Sequence, residues 1–233
     1  MSARQIVLDT ETTGLNARLG DRVVEIGCIE LLNRRVTDRH FHRYLNPERD
    51  IEEGAAKVHG LTREFLADKP LFRDVAGEFL DHVRGAELLI HNAPFDVEFL
   101  DMELAQAGLG SLTDHVAGIV DTLAMARELR PGKRNSLDAL CEHYAVSNAH
   151  RTLHGALLDA ELLAEVYLAM TRGQESLVID LDSPGTAAEA ARIDTSGLVV
   201  LGATPDELAA HEQVLDRLDR QAKAGSLWRK IAP

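Results

Sequence analysis

Asp9 and Glu11 stand two residues apart, directly after the apolar run Ile6-Val7-Leu8. In an extended strand, residues at that spacing point to the same face. Two carboxylates at the end of a buried strand therefore sit side by side, where like charges repel and burial penalises ionisation. A divalent cation relieves both problems, and hard oxygen donors suit Mg²⁺ or Mn²⁺. The alternative is that the strand opens into a loop, with Asp9 capping a turn and Gly14 supplying a positive φ. The pair by itself does not decide between them.

Two further acids bear on the choice. Asp96 shares a helical stripe with Phe99, Leu100 and Leu104, at spacings that define one face. An acid there either caps the first turn, where a negative charge is favoured, or faces a site. Asp159 lines up with Leu162, Leu163, Val166 and Met170 in the same manner. Three separate segments thus aim an acid toward the core. Burying such acids unpaired costs on the order of several kcal/mol each, and one shared metal centre accounts for all of them. His154 lies five residues before Asp159, at the entrance to that helix. It could serve as a general base near neutral pH, or simply be a polar residue at a helix start. Among the other histidines, His82, His143 and His211 fall in helical stretches and read as solvated. His59 precedes Gly60 and reads as a helix end, while His91, beside Asn92 at a strand end, stays open.

The elements that position these residues follow from periodicity and punctuation. Ile6–Leu8, covered on both faces, reads as a strand. Residues 22–32 and 36–45 read as two more, joined by a turn at Asn33-Arg34-Arg35. Helical segments follow over 52–59 and 71–83, then a strand over Glu87–Ile90 that runs into a helix over 95–107. Ile119-Val120 is a short strand, followed by helices over 123–129, 136–144 and 155–170. Strands first, then strand and helix in alternation, predict an α/β domain with a mixed central sheet flanked by helices. The breaker-rich stretch 183–188 reads as a linker. Residues 205–222 read as a helix with Pro205 at its start and acids in its first turn.

The chain has 233 residues, enough for one sizeable core with some length left over. Its net charge of −13 is unexpected for a protein that neutralises phosphate with its own basic face. It fits one that meets phosphate through bound cations or is held on nucleic acid by a partner. No apolar run approaches the length of a membrane span, and no basic-then-apolar leader opens the chain. Cys28 and Cys141 are far apart and in no metal-binding spacing, so reduced thiols and a cytoplasmic location are expected.

With these residues in place, three segments resemble the exonuclease motifs of the DEDD superfamily: IVLDTETTG (6–14), IHNAPFDVEFL (90–100) and HGALLDAELL (154–163). The histidine five positions before the last aspartate is the mark of the DEDDh branch. Further segments, among them FHRYLNP, VHGLTREFLADKP, PGKRNSLDALC and the terminal AAHE and SLWR, resemble the proofreading (epsilon) subunits of bacterial DNA polymerase III. The resemblance implies a ribonuclease H-like exonuclease domain that cleaves the 3′ end of DNA with two divalent ions, Mg²⁺ or Mn²⁺. It implies that Asp9, Glu11, Asp96 and Asp159 are the metal ligands and His154 the general base. Thr12, Leu15, His59 and Asn92 fall where the family approaches the terminal nucleotide. Gly54 stands where the family often carries an acid, with Glu52 and Glu53 just before it. RNA-trimming DEDDh nucleases lack the linker and tail, and an inactive binding module would not be expected to keep all four acids and His154.

The change in composition after Met170 divides the chain into an exonuclease domain (1–175), a flexible linker (176–200) and a tail (201–233), which the resemblance makes polymerase-binding. Residues 174–179 resemble the short peptide by which replication proteins dock on the sliding clamp, with Gln174 and Leu177 as its contacts. Val178 and Ile179 replace the usual aromatic ending, which implies weak binding. Trp228, the only tryptophan, is of the type enriched at interaction hot spots and is assigned to the contact with the polymerase's catalytic (alpha) subunit. A small accessory subunit is a further partner that the resemblance allows.

Overall fold

The computed structural model describes residues 4–148, 153–172 and 202–221. Gln174, Leu177, the stretch 183–188 and Trp228 lie outside the described residues. Five strands, β1 (Arg4–Thr12), β2 (Val23–Leu32), β3 (Arg35–Tyr44), β4 (Glu87–Ile90) and β5 (Gly118–Asp121), form one sheet in the order β3-β2-β1-β4-β5. The first three pair antiparallel, and β1, β4 and β5 run parallel. Helices α1 (Glu53–His59), α2 (Arg63–Leu66), α3 (Phe72–Val83), α4 (Ala93–Gln106), α5 (Thr122–Leu129), α6 (Leu137–Tyr144) and α7 (Ala156–Met170) complete this unit. This is the mixed central sheet flanked by helices that the sequence predicts.

Strand alternation sorts the core into two halves. Ile6, Leu8, Ile26, Cys28, Leu88 and Ile90 face one side, against α3 and α4. Val7, Ile29, Leu31 and Leu89 face the other, against α6 and α7. Burying a side chain of this size contributes roughly 1.5–3 kcal/mol, so each face fixes the register of its strands. Asp9 and Glu11 continue the row begun by Val7 and therefore belong to the α7 side. Thr10, between them, belongs to the α4 side.

Several local details depart from the expectations. Rather than opening into a loop after Leu8, β1 stays paired with β2 through Thr12, with a register shift between Glu11 and Thr12. The β2–β3 turn is a tight one in which Asn33 and Arg34 take positive φ of 51° and 61°, the geometry that suits strand twist in a two-residue hairpin. Arg35 consequently joins β3 opposite Leu32. Gly14 does not take a positive φ. It is required instead by proximity, since a Cβ there would lie 2.5 Å from the Asp21 carboxylate and 2.7 Å from that of Glu52. His82 is not solvated: its ring is half-buried and its Nε2 is sequestered from water.

In the second unit, which spans 178–233, helix α8 (Pro205–Gln221) has a reciprocal N-terminal cap. The Thr204 amide donates to Glu207 Oε2 at 2.8 Å, and the Glu207 amide donates to Thr204 Oγ1 at 3.3 Å. Among the described residues no helix is long and apolar enough to cross a membrane.

Candidate active site

The α7 side of β1 ends in acids because the apolar row of that face stops at Val7. What brings α7 to them is Gly27, the β2 residue opposite Asp9. A Cβ at Gly27 would lie 2.3 Å from the Ala156 carbonyl carbon and from the Leu157 nitrogen. The first turn of α7 therefore lies directly on the strand backbone, which a side chain would prevent. The approach delivers Asp159, which is 4% exposed, beside Glu11, which is 9% exposed. One donor atom each from Glu11, His154 and Asp159 lie within 4.8 Å of one another. Two carboxylates and an imidazole at that separation form a donor set able to hold a hard divalent cation.

His154 Nδ1 lies 3.1 Å from Asp159 Oδ2. With Nδ1–H donating to the carboxylate, Nε2 is left as the basic nitrogen, so the aspartate fixes both ring orientation and tautomer. The His154 backbone is itself fixed, its amide donating to the Val58 carbonyl at 3.1 Å. That bond joins the segment before α7 to the end of α1, where His59 is 5% exposed. The Leu61 amide donates to His59 Nδ1 at 3.0 Å, which puts the ring proton on Nε2. Burial lowers the His59 pKa against the opposing pull of the Thr12 backbone carbonyl, so the ring is neutral and Nε2–H is a buried donor. His59 does end a helix, with Gly60 following at φ 72°, but it faces inward.

Asp96 is placed differently. It sits in the first turn of α4 and is 3% exposed. Its Oδ1 accepts from the Thr10 amide at 3.1 Å and the Thr10 hydroxyl at 2.7 Å. Burial pushes its carboxyl up to about 7, against the opposing pull of those two donors. Asp96 thus meets β1 from the α4 side and is not one of the three residues grouped within 4.8 Å.

Asp9, Asn92, His154 and Asp159 line a single cavity of about 800 Å³. Asn92 adopts a left-handed φ of 71° at the entrance to α4. Thr12 is buried, its hydroxyl donating to the Gly14 carbonyl at 2.6 Å. Leu15 stands 82% exposed on the loop that follows. That loop is braced by Thr13 Oγ1 donating to Asp21 at 2.9 Å and by the Asn16 amide donating to Asp21 at 3.0 Å. An apolar side chain so held out to solvent offers a surface for a flat ring. Gly54 has nothing within 4 Å of its Cβ direction, so a side chain there would stand in open space.

One buried acid beside the site escaped the sequence reading. Glu25, 3% exposed, pairs across the strands with Glu11 and accepts from His42 Nε2 at 2.7 Å. Its oxygens lie 3.9 Å from the Cβ position of Gly155, at the start of α7. The available signal was parity: Glu25, Gly27 and Ile29 alternate on the face that carries the site.

Comparisons with known proteins agree with this geometry. A family model described as an exonuclease matches residues 6–167. The DNA polymerase III subunit epsilon of Salmonella typhimurium is 51% identical, with 97% of each chain covered. That of Pasteurella multocida is 50% identical over 97% of this chain and 94% of its own. Among solved structures, exonuclease X in complex with 5′ overhanging duplex DNA superposes with a TM-score of 0.57 and 25% identity, covering 72% of this chain and 90% of that one. Exonucleases of this fold depend on divalent metal ions. On a family match that spans nearly all of the first unit and identity that spans nearly the whole chain, the protein belongs to the exonuclease family, in the line of DNA polymerase III epsilon subunits.

Proposed function

We propose that this chain is the 3′→5′ proofreading exonuclease of a replicative DNA polymerase III, hydrolysing the last phosphodiester of a DNA 3′ end to release a 5′-mononucleotide. The observation that carries the reading is the convergence of Glu11, His154 and Asp159 within 4.8 Å, beside a cavity that Asp9 also lines.

In this reading Asp9, Glu11, Asp96 and Asp159 hold two divalent ions, Mg²⁺ or Mn²⁺. Bound there, such ions supply Lewis-acid polarisation of the phosphate and charge for the departing oxygen. The protein's own groups do the rest. His154, with Nδ1 turned to Asp159, accepts the proton of the attacking water at Nε2. His59 offers its buried Nε2–H to a polar group of the terminal nucleotide. Thr12, Leu15 and Asn92 border that nucleotide, with Leu15 against the base. A mispaired end unstacks more readily than a paired one, which favours entry of wrong ends into the cavity.

Residues 1–175 serve as the nuclease, 176–200 as a linker, and 201–233, with Trp228, as the contact to the polymerase's catalytic subunit. Gln174 and Leu177 give weak contact with the sliding clamp. The primary test is degradation of 3′-labelled single-stranded DNA with Mg²⁺, run beside Asp9→Ala. Equal activity in the variant overturns the assignment of the site. Truncation after Leu181 is expected to abolish polymerase binding while sparing the nuclease, and retained binding would remove the tail from that role.

A further inference from the structure

The acids and histidines of the cavity account for the linkage that is cut, but not for the rest of the strand. A polyanion entering a cavity lined by Asp9 and Asp159 is repelled unless positive charge is also built into it. In a chain of net charge −13, residues 127–134 carry Arg127, Arg130, Lys133 and Arg134 against a single acid, Glu128. Arg127 and Lys133 line the same cavity as Asp9, His154 and Asp159. Ten other cations of the described residues are engaged in ion pairs. Among the described residues Arg127 and Lys133 take part in none.

The segment is a built frame and not a loose surface loop. Pro131 and Gly132, the latter at φ 74°, occupy the centre of a turn closed by the Lys133 amide donating to the Arg130 carbonyl at 3.3 Å. Asn135, 7% exposed, donates from Nδ2 to the Lys133 carbonyl at 3.0 Å and the Arg130 carbonyl at 3.4 Å. Arg130 Nη1 donates back to Asn135 Oδ1 at 3.3 Å, so this cation braces the turn. His91, kept neutral by burial, donates from Nε2 to the Asn135 carbonyl at 2.9 Å. Through His91 the turn is tied to the end of β4, the strand adjoining β1. The backbone that carries Lys133 is thereby fixed relative to the acids and Asn92, and that of Arg127 belongs to α5. A long cationic side chain held on a fixed backbone loses less freedom on gripping a ligand than one on a mobile loop.

We propose that Arg127 and Lys133 are positioning residues that grip the backbone phosphates just upstream of the scissile linkage, holding a single-stranded 3′ end in register without touching the reacting atoms. The inference rests on the exonuclease reading and adds to it where the strand runs. It also answers the charge anomaly, because the few cations that meet DNA are confined to the cavity wall.

The test compares two substrates in the full chain with Mn²⁺. One is a 3′-labelled oligothymidylate; the other is the p-nitrophenyl ester of thymidine 5′-monophosphate, which offers one phosphodiester and no upstream phosphate. For Lys133→Ala and for Arg127→Ala, KM on the oligonucleotide is expected to rise about 10-fold while kcat stays within about twofold. On the ester, kcat/KM is expected to fall by less than about twofold. The slope of log KM against log salt should become shallower by about 0.7 for each cation removed, the value for one phosphate of a single strand. Lys133→Arg should restore most of the affinity. Equal losses on both substrates, or an unmoved salt slope, would overturn the inference while leaving the nuclease in place. A wild-type chain inactive on both substrates would instead refute the exonuclease reading, and the inference with it.

Discussion

Replacing Gly27 by alanine tests whether catalysis depends on the close seat of α7 against the sheet. The added Cβ would meet the Ala156 carbonyl carbon and the Leu157 nitrogen at 2.3 Å and the Ala156 oxygen at 2.4 Å. All three are backbone atoms, so no rotamer change relieves the overlap. Ordinary contact requires the first turn of α7 to retreat by about 1 Å, or β2 to buckle by as much, at roughly 1–3 kcal/mol. For a chain of this size that lowers Tm by roughly 2–4 °C per kcal/mol, so the fold survives. The site does not fare as well. His154 lies just before that turn and Asp159 within it, whereas Glu11 stays on β1. A displacement of about 1 Å between groups that act together costs on the order of 100-fold in turnover. The assay is kcat on 3′-labelled single-stranded DNA at saturating Mn²⁺, read beside thermal unfolding. Val83→Ala provides the control, since it opens a cavity on the α3 side of the sheet and destabilises without moving α7. Wild-type kcat in Gly27→Ala, or an equal loss of kcat in Val83→Ala, would refute the claim that the approach of α7 sets the site.

Three other outcomes follow from the geometry. His154→Gln should lower kcat by about 10²–10⁴-fold, the usual range for loss of a general base. It should still be stabilised by added Mn²⁺, because the acids remain; Tm with and without the ion reads this. Glu103→Ala strands the Arg22 guanidinium, which it holds by bonds of 2.7 and 2.6 Å, together with the Val23 amide. Urea unfolding should show a loss of about 3–5 kcal/mol, the scale for a broken, largely buried pair, with nuclease activity per folded molecule retained. Burial lowers the pKa of His91 in the fold, so the unfolded chain takes up its proton first as pH falls. That contribution to stability is present above the ordinary histidine pKa, near 6.5, and is lost progressively below it. The urea midpoint of wild type should therefore drop between pH 8 and pH 5.5 by more than that of His91→Gln, and parallel profiles would exclude His91 as a source.

The inward placing of Asp96 and Asp159 was legible because each interrupts an apolar period, and a period assigns a face before any contact is known. Strand and helix limits were legible to within a residue or two where the apolar pattern or a breaker marks them, as at Glu87–Ile90 and Pro205. What escaped the sequence is contact across distance. Nothing near Gly27 announces that Ala156 and Leu157 press on it. Glu25 looks like a surface acid of a strand until its neighbours, Glu11 across the sheet and Gly155 above it, are known. His82 lies on a helix whose polar face suggests solvent, yet burial against the sheet lowers its pKa. The brace formed by Asn135 and His91 joins residues 44 apart in sequence and leaves no local trace.

Strand parity also divides what the sequence presents as one set. Asp9, Glu11 and Asp159 share the α7 side, while Asp96 is held by Thr10 on the α4 side. In the middle of a paired strand, such groups are kept apart by the sheet itself. At a strand end the separation fails, because no further neighbour screens one face from the other. Regular pairing of β1 with β2 breaks between Glu11 and Thr12, and on its other side β1 loses its neighbour after Leu8, where β4 ends at Ile90 and β5 at Asp121. Open sheets of this kind bind their ligands at the carboxyl ends of parallel strands for the same reason. On the proposed reading, an acid on each face can serve one centre only there, and the pair stands at positions 9 and 11 and not two residues earlier, where Val7 fills the core.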